Sequence, residues 1–321
     1  MKKTSLPPPP APGAESAAYY GLDVAKATLV LHGPAGPLGE WPNTASGHAR
    51  LLALVPAQGR VICEATGGYE RAVVAALQGA GRHVSVINPR QSRAAAQAQG
   101  RRAKSDRIDA ADLADYGRRF TPAATPAPTP AEQVLQELVR RRAQLVAART
   151  AAQNQLEHLR DPRLRRQAQR RLRADQRDLA QLEAWIGAAL SASEELAARA
   201  ARLQQLTGIG PTVAAVALAE VPELGRTGDR QIAHLFGLAP FVRESGCWRG
   251  QRRIAGGRAA PRAALYMAAL SAIVHNRRLR EFHQRLLGAG KVGKVALVAV
   301  MRKMACLLNR LLRDPHFQLA A

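Results

Sequence analysis

Four acidic residues stand out in a chain that is otherwise heavily basic. Asp23 ends a short apolar run in GLDVAK, and Glu64 ends a second one, RVICE, before Ala65, Thr66, Gly67 and Gly68. Asp106 and Asp109 follow in KSDRIDA, three residues apart, which puts both on one face of a helix. If the strands that carry Asp23 and Glu64 are neighbours in one sheet, the two carboxylates end side by side. A helix packed on that sheet then brings Asp106 and Asp109 opposite. Converging carboxylates need a counter-charge, and hard oxygen donors select Mg²⁺ or Mn²⁺. Two such ions about 4 Å apart activate an attacking oxygen and stabilise a leaving one in phosphodiester chemistry. Spacing alone equally fits turn-capping acids and a solvated helix face, since Asp112 and Asp115 continue the same series.

A second constellation lies near the C-terminus. Residues 206–221, LTGIGPTVAAVALAEV, place Gly208 and Gly210 between two apolar helical runs, the outline of a helix-hairpin-helix. Glycines there let backbone amides approach a DNA phosphate at a helix N-terminus, although any Gly-Pro turn between apolar helices looks alike. Further on, Ser245 stands in Arg-Glu-Ser-Gly, expected as a loop between helices. A serine among arginines can attack phosphorus while guanidinium groups stabilise charge on the phosphoryl oxygens. Arg243, Arg249, Arg252, Arg253 and Arg258 are the candidate phosphate ligands. A Ser-Gly dipeptide is also an ordinary turn, and residue chemistry alone does not prefer Ser245 over Ser271.

The charge balance agrees with a polyanionic partner. Across 321 residues, 47 basic residues outnumber 24 acidic ones, giving +23. The surplus is uneven: residues 206–321 hold 18 basic and 6 acidic residues, against 15 and 9 in the first 120. Nucleic acid is the expected partner, although arginine outnumbers lysine 40 to 7, which points to a high-GC genome as well. Cys63, Cys247 and Cys306 form no CxxC and no disulfide framework, as expected in a reducing cytosol. No apolar run reaches 18 residues, so no membrane partner is expected, and the N-terminus lacks the apolar core of a signal peptide. With aromatics at 4 %, the core must be built from Leu, Val and Ala.

These residues need elements to position them. Residues 1–17 read as a disordered Pro/Ala tail. Residues 18–120 alternate strand and helix signals in the order βββαβαβαα, an α/β domain whose sheet starts as a meander and ends in crossovers. TPAATPAPTP at 121–130 reads as a linker. Residues 131–205 repeat Leu138, Leu145, Ala152 and Leu159 at sevens, then Leu182, Ala189, Leu196 and Leu203. Asp161-Pro162 should fold that stretch into a coiled-coil hairpin of two long helices. Arg165, Arg166, Arg170, Arg171 and Arg173 near its bend are either a solvated face or a nucleic-acid contact. Residues 206–321 form a mainly helical, all-α third unit.

The segments YYGLDVAKATLVLH, VICEATGGYERAVVAAL, VSVINPRQSRAAAQAQG and AKSDRIDAADLADY, in that order, resemble the N-terminal domain of the DEDD insertion-sequence transposases, the IS-one-ten family. The resemblance covers nearly the whole chain from residue 19. It implies a domain of the ribonuclease H or RuvC (Holliday-junction resolvase) type, with Asp23, Glu64, Asp106 and Asp109 as its metal-binding acids. The block HLFGLAPFVRESGCWRGQRRIAGGRAAPRAALYMAAL is similar to that family's C-terminal transposase domain, which implies Ser245 as a nucleophile forming a covalent phosphoserine. It further implies donor and target DNA, a structured guide RNA encoded by the element, and a homo-oligomer that assembles as a dimer of dimers, with the hairpin serving assembly. No RRM or KH signature is present, and Tyr19, Tyr20, Tyr69 and Trp248 are too few to argue base stacking. Two other readings stand beside this one. One is a hydrolytic, junction-selective endonuclease using the four carboxylates and water; the other is a non-catalytic nucleic-acid-binding protein whose acids are incidental.

Overall fold

A computed structural model describes residues 18–100, 106–241, 244–245, 248–250 and 253–319, with backbone alone at 106–107, 244–245 and 248–249. The expected tail at 1–17, Arg243 and Arg252 lie outside the described residues. The chain divides into two compact units, Met1–Ala127 and Pro128–Ala321.

In the first unit, β1 (Tyr19–Val24), β2 (Thr28–Gly33) and β3 (Gly36–Pro42) form an antiparallel meander. After α1 (Ala45–Leu54) come β4 (Arg60–Glu64), α2 (Arg71–Gly79), β5 (His83–Ile87), α3 (Pro89–Ala98) and α4 (Asp106–Phe120). The sheet order is β3-β2-β1-β4-β5, and β1, β4 and β5 run parallel, as connections through helices require. The βββαβαβαα order expected from the residues is therefore the one observed. Alternation sorts the side chains between the two faces. Tyr20, Leu22, Val61, Cys63 and Val84 meet Leu51, Val73 and Leu77 of α1 and α2. Tyr19, Ile62 and Ile87 point the other way, onto Leu113 of α4.

Two glycines let α4 lie directly on the sheet. A Cβ at Gly21 would stand 1.9 Å from the carbonyl oxygen of Ala110, and one at Gly117 would stand 2.6 Å from the Tyr19 ring. Beyond α4 the proline-rich segment runs along β5. The Thr125 amide donates to the Val84 carbonyl at 2.8 Å, the Val86 amide donates to Thr125 Oγ1 at 2.9 Å, and Ser85 Oγ donates to the Ala123 carbonyl at 2.9 Å. An edge strand that would otherwise be open is thereby covered.

In the second unit, α5 (Pro130–His158) starts at a capping box between Thr129 and Glu132. It turns back into α6 (Pro162–Ser191) at Asp161, whose side chain accepts from the Arg163 amide at 2.7 Å. The helices are antiparallel: Leu145 packs with Leu179 and Leu182, and Arg142 pairs with Glu183 at 2.6 Å. The apolar repeat predicts two long helices, whereas the structure has three. Helix α6 stops at Ser191, and Ser193 caps a separate α7 (Glu194–Gln204) that carries Leu196 and Leu203. A seven-residue repeat can run on in phase through a break, because a serine cap adds no residue that disturbs the spacing. The chain continues through α8 (Pro211–Glu220) and α9 (Asp229–Leu235), then through β6 (Pro240–Phe241), β7 (Glu244–Ser245), β8 (Trp248–Arg249) and β9 (Arg253–Ile254). Helices α10 (Ala259–His275), α11 (Arg277–Gly288) and α12 (Gly293–Arg313) complete the unit. Its core is mostly Leu and Ala around Phe236. Among the described residues no helix is long and apolar enough to cross a membrane.

Candidate active site

The register of β1 and β4 sets the first pair of acids. Leu22 is paired with Cys63, so one step further along both parallel strands Asp23 comes beside Glu64, at the carboxyl ends. Alternation turns both residues to the face that α4 covers, since Gly21 and Ile62 lie there. Helix α4 runs opposite to β1: Gly117 meets Tyr19, whereas Ala110 and Ala114 meet Gly21. Its first turn, which contains Asp106 and Asp109, therefore lies toward the end of the sheet where Asp23 and Glu64 stand. The crevice outside the carboxyl ends of parallel strands is where open α/β sheets hold ligands. Asp23, Glu64 and Asp109 are half-buried. Among the described residues no group of three or more His, Cys, Asp or Glu side chains closes tightly enough to hold a metal ion, and the Asp106 side chain is not among them.

Two further residues organise this end of the sheet. Ser92, buried on α3, donates its hydroxyl proton to Glu64 Oε1. Helix α3 is fixed there by Asn88, whose side chain accepts from the Arg90 amide at 2.9 Å. Glu70 Oε2 accepts from the Gly68 amide at 2.8 Å, Thr66 Oγ1 at 3.0 Å and the Thr66 amide at 3.1 Å. The loop it ties needs glycine at 67 and 68, where φ is +78° and +119°. Cys63 faces the opposite side of the sheet. Burial, then the carboxylates of Glu70 and Glu64, push its thiol up to about 12, so it is protonated at neutral pH. Sequence reasoning missed both Ser92 and Glu70. A lone serine in an Ala/Arg helix carries almost no signal, whereas an acid following Thr-Gly-Gly could have been read as the anchor of a turn.

In the second unit, Ser245 lies on a strand and not in a plain loop. Strand β7 pairs with β8, with Ser245 opposite Trp248, and β6 pairs with β9. The described residues between α9 and α10 thus include two short antiparallel ladders, here called the ribbon, whose two-residue strands are too short for alternation to reveal. Arg249 sits on β8 and the exposed Arg253 on β9. Arg258 commits both terminal guanidinium nitrogens to Glu223, at 2.6 and 2.7 Å. The ribbon's base is a crossing of two backbones, since a Cβ on Gly257 would fall 2.1 Å from the Gly237 nitrogen. Gly208 has φ +97°, and a Cβ there would meet the Ala268 carbonyl oxygen at 2.5 Å, so the turn before α8 is pressed onto α10. Gly210, which precedes α8, faces open space.

Comparison with known proteins yields two matching family models. A DEDD model of IS110, described as Transposase, matches residues 20–161, and one described as Transposase IS116/IS110/IS902 family matches residues 200–284. Among curated proteins, the chain is similar to the pilin gene-inverting proteins of Moraxella lacunata and Moraxella bovis. Each is 26 % identical over 322 residues, covering 93 % of this chain and 97 % of the relative.

Proposed function

The chain belongs to the IS110 family of transposases and is a DNA transposase or recombinase, and from that premise we propose that it cuts and rejoins DNA with four carboxylates and one serine. The carboxylates are Asp23, Glu64, Asp106 and Asp109; the serine is Ser245. The observation that carries this reading is the β1–β4 register, which sets Asp23 beside Glu64 at the end of the sheet toward which α4 begins. The sheet order, with an antiparallel meander joined to parallel β4 and β5, supports a ribonuclease H or RuvC type of domain.

Four carboxylates, with the Cys63 thiol protonated and facing away, suit a hard ion such as Mg²⁺ or Mn²⁺ and not a thiolate-bound metal. Asp23, Glu64, Asp106 and Asp109 would hold such an ion, which would supply charge neutralisation at the phosphoryl oxygens. Ser92 orients Glu64. Ser245 Oγ loses its proton and bonds to the scissile phosphorus as the phosphorus–sugar oxygen bond breaks, and the departing sugar oxygen takes up a proton. One phosphoester bond replaces another, so a second strand's hydroxyl can reverse the step without ATP. Arg243, Arg249, Arg252 and Arg253 hold neighbouring phosphates, while Arg258 fixes the ribbon through Glu223. Gly208 and Gly210 form the turn of a helix-hairpin-helix. A structured guide RNA selects donor and target DNA, and a dimer of dimers, joined through the coiled-coil hairpin, assembles the composite site in the cytoplasm. The gene-inverting relatives support recombination over simple hydrolysis.

The test uses purified full-length protein, the element's DNA ends and Mg²⁺. Wild type should form a detergent-stable protein–DNA adduct; Ser245→Ala should form none and not cut, and Asp23→Asn should not cut. Cleavage by Ser245→Ala, with no adduct in wild type, would replace the serine mechanism with hydrolysis. Unchanged cleavage by Asp23→Asn and Glu64→Gln would make the acids incidental. Sequencing of co-purified RNA, from cells carrying the full element, should return one discrete transcript; random transcripts would remove the guide.

A further inference from the structure

A cleft of about 680 Å³ opens between the turn joining α7 to α8 and the corner where α10 gives way to α11. Gln205 and Thr207 line one side, His275, Arg277 and Arg278 the other, and Leu319 closes one end. The lining is mostly polar and charged, which suits a polar ligand better than an apolar one. The walls are firmly held. Gly208 presses the α7–α8 turn onto α10. Arg202 donates to the Leu311 carbonyl at 2.7 Å and the Asp314 carbonyl at 2.9 Å, which fixes the tail that brings Leu319 to the rim. Asn276 caps α11 by accepting from the Leu279 amide at 3.0 Å, so Arg277 and Arg278 leave from the first helical turn. There the helix end adds positive potential. The Arg277 side chain is 89 % exposed and pairs with Glu281 at 2.8 Å, itself 58 % exposed, a pairing weak enough to exchange for a phosphate.

We propose that this cleft binds the phosphodiester backbone of a nucleic acid. Arg277 and Arg278 supply the charge, and Thr207 and Gln205 supply neutral hydrogen bonds. The proposal rests on the chain's action on DNA for the presence of its ligand, but not on the carboxylates or on Ser245. Contacts of this kind hold a strand in register without reading its sequence.

The experiment measures binding of full-length protein to a short DNA duplex and to an RNA of the same length, by fluorescence anisotropy in EDTA across a salt series. Arg277→Gln with Arg278→Gln is compared with Arg226→Gln plus Arg230→Gln, an equal charge loss at exposed positions of the same unit. The cleft variant should bind about tenfold more weakly, and its salt slope should fall by nearly two, at about 0.9 per lost phosphate contact. The control pair should lose less than half as much, and all variants should melt together. A change confined to RNA identifies the backbone as RNA and keeps the site. Equal losses in the two pairs, unchanged slopes on both nucleic acids, or no binding by wild type overturn the proposal. Asp23→Asn should fail to cut with Mg²⁺, while the cleft variant's weaker binding in EDTA is read against wild type alone. If Asp23→Asn cuts, the carboxylate mechanism fails while the cleft stands.

Discussion

Ser92 carries one proton and has two acceptors in reach, Glu64 Oε1 and the Pro89 carbonyl at 3.0 Å. Ser92→Ala deletes the donor to Glu64 while removing little volume, and a hydrogen bond to a charged group is worth about 1.5–3 kcal/mol. Single-turnover DNA cleavage should drop at least tenfold, with the Mg²⁺ requirement shifted upward and the melting temperature lowered by no more than several degrees. An unaltered metal requirement would mean that Glu64 is positioned without it. Cys63 offers a second test on the same strand. With its thiol raised from an ordinary 9.0 to about 12, the thiolate population falls about a thousandfold. Alkylation of native protein, followed by mass spectrometry, should leave Cys63 untouched until denaturant is added. Labelling at the rate of a free thiol would show that β4 is not buried as described.

At the scale of elements, the helix that carries two of the acids is held by the absence of a side chain. Gly21→Ala would put a Cβ 1.9 Å from the Ala110 carbonyl oxygen, where backbone and not a flexible side chain must yield. Overpacking of that kind costs roughly 3 kcal/mol, so α4 should lift from β1. Hydrogen exchange should then rise over 106–120 and cleavage should fall. Normal protection across α4 would refute the close approach. The positions of Asp23 and Glu64 near strand ends were legible because an isolated carboxylate after an apolar run is conspicuous in a basic chain, and the order of strands and helices followed from alternation and turn residues. What could not be read has physical reasons. The ribbon around Ser245 is built from strands of two residues, below the length at which a period exists. The break between α6 and α7 kept the heptad in phase. The cleft joins Thr207 to Arg278, which are far apart in the sequence and meet through packing that Gly208 permits.

For the molecule as a whole, each compact unit has its own buried core, one around Leu22 and Leu51, the other around Phe236, Met304 and Leu308. Units with separate cores unfold as separate cooperative steps. Acid should distinguish them through Asp229. Burial alone would raise this carboxyl, yet hydrogen bonds from Asn309 and Arg310, with the nearby Arg310 and Arg313 charges, hold it below the ordinary carboxylate value. A carboxyl whose folded pKa is depressed stabilises the fold above its unfolded value, and that contribution disappears as pH falls through the folded value, here below about pH 4. Asp229→Asn should therefore lower one melting transition by about 2–4 °C at neutral pH, and lessen that transition's further fall on acidification. The same network pins the turn before α9, since Asn309 Nδ2 donates to Asp229 Oδ1 at 2.8 Å and to the Thr227 carbonyl at 2.9 Å. Gly21→Ala should lower the other transition and leave this one in place. Calorimetry of both variants, at neutral pH and near pH 3.5, decides the matter: if either substitution moves both transitions together, the two cores unfold as one.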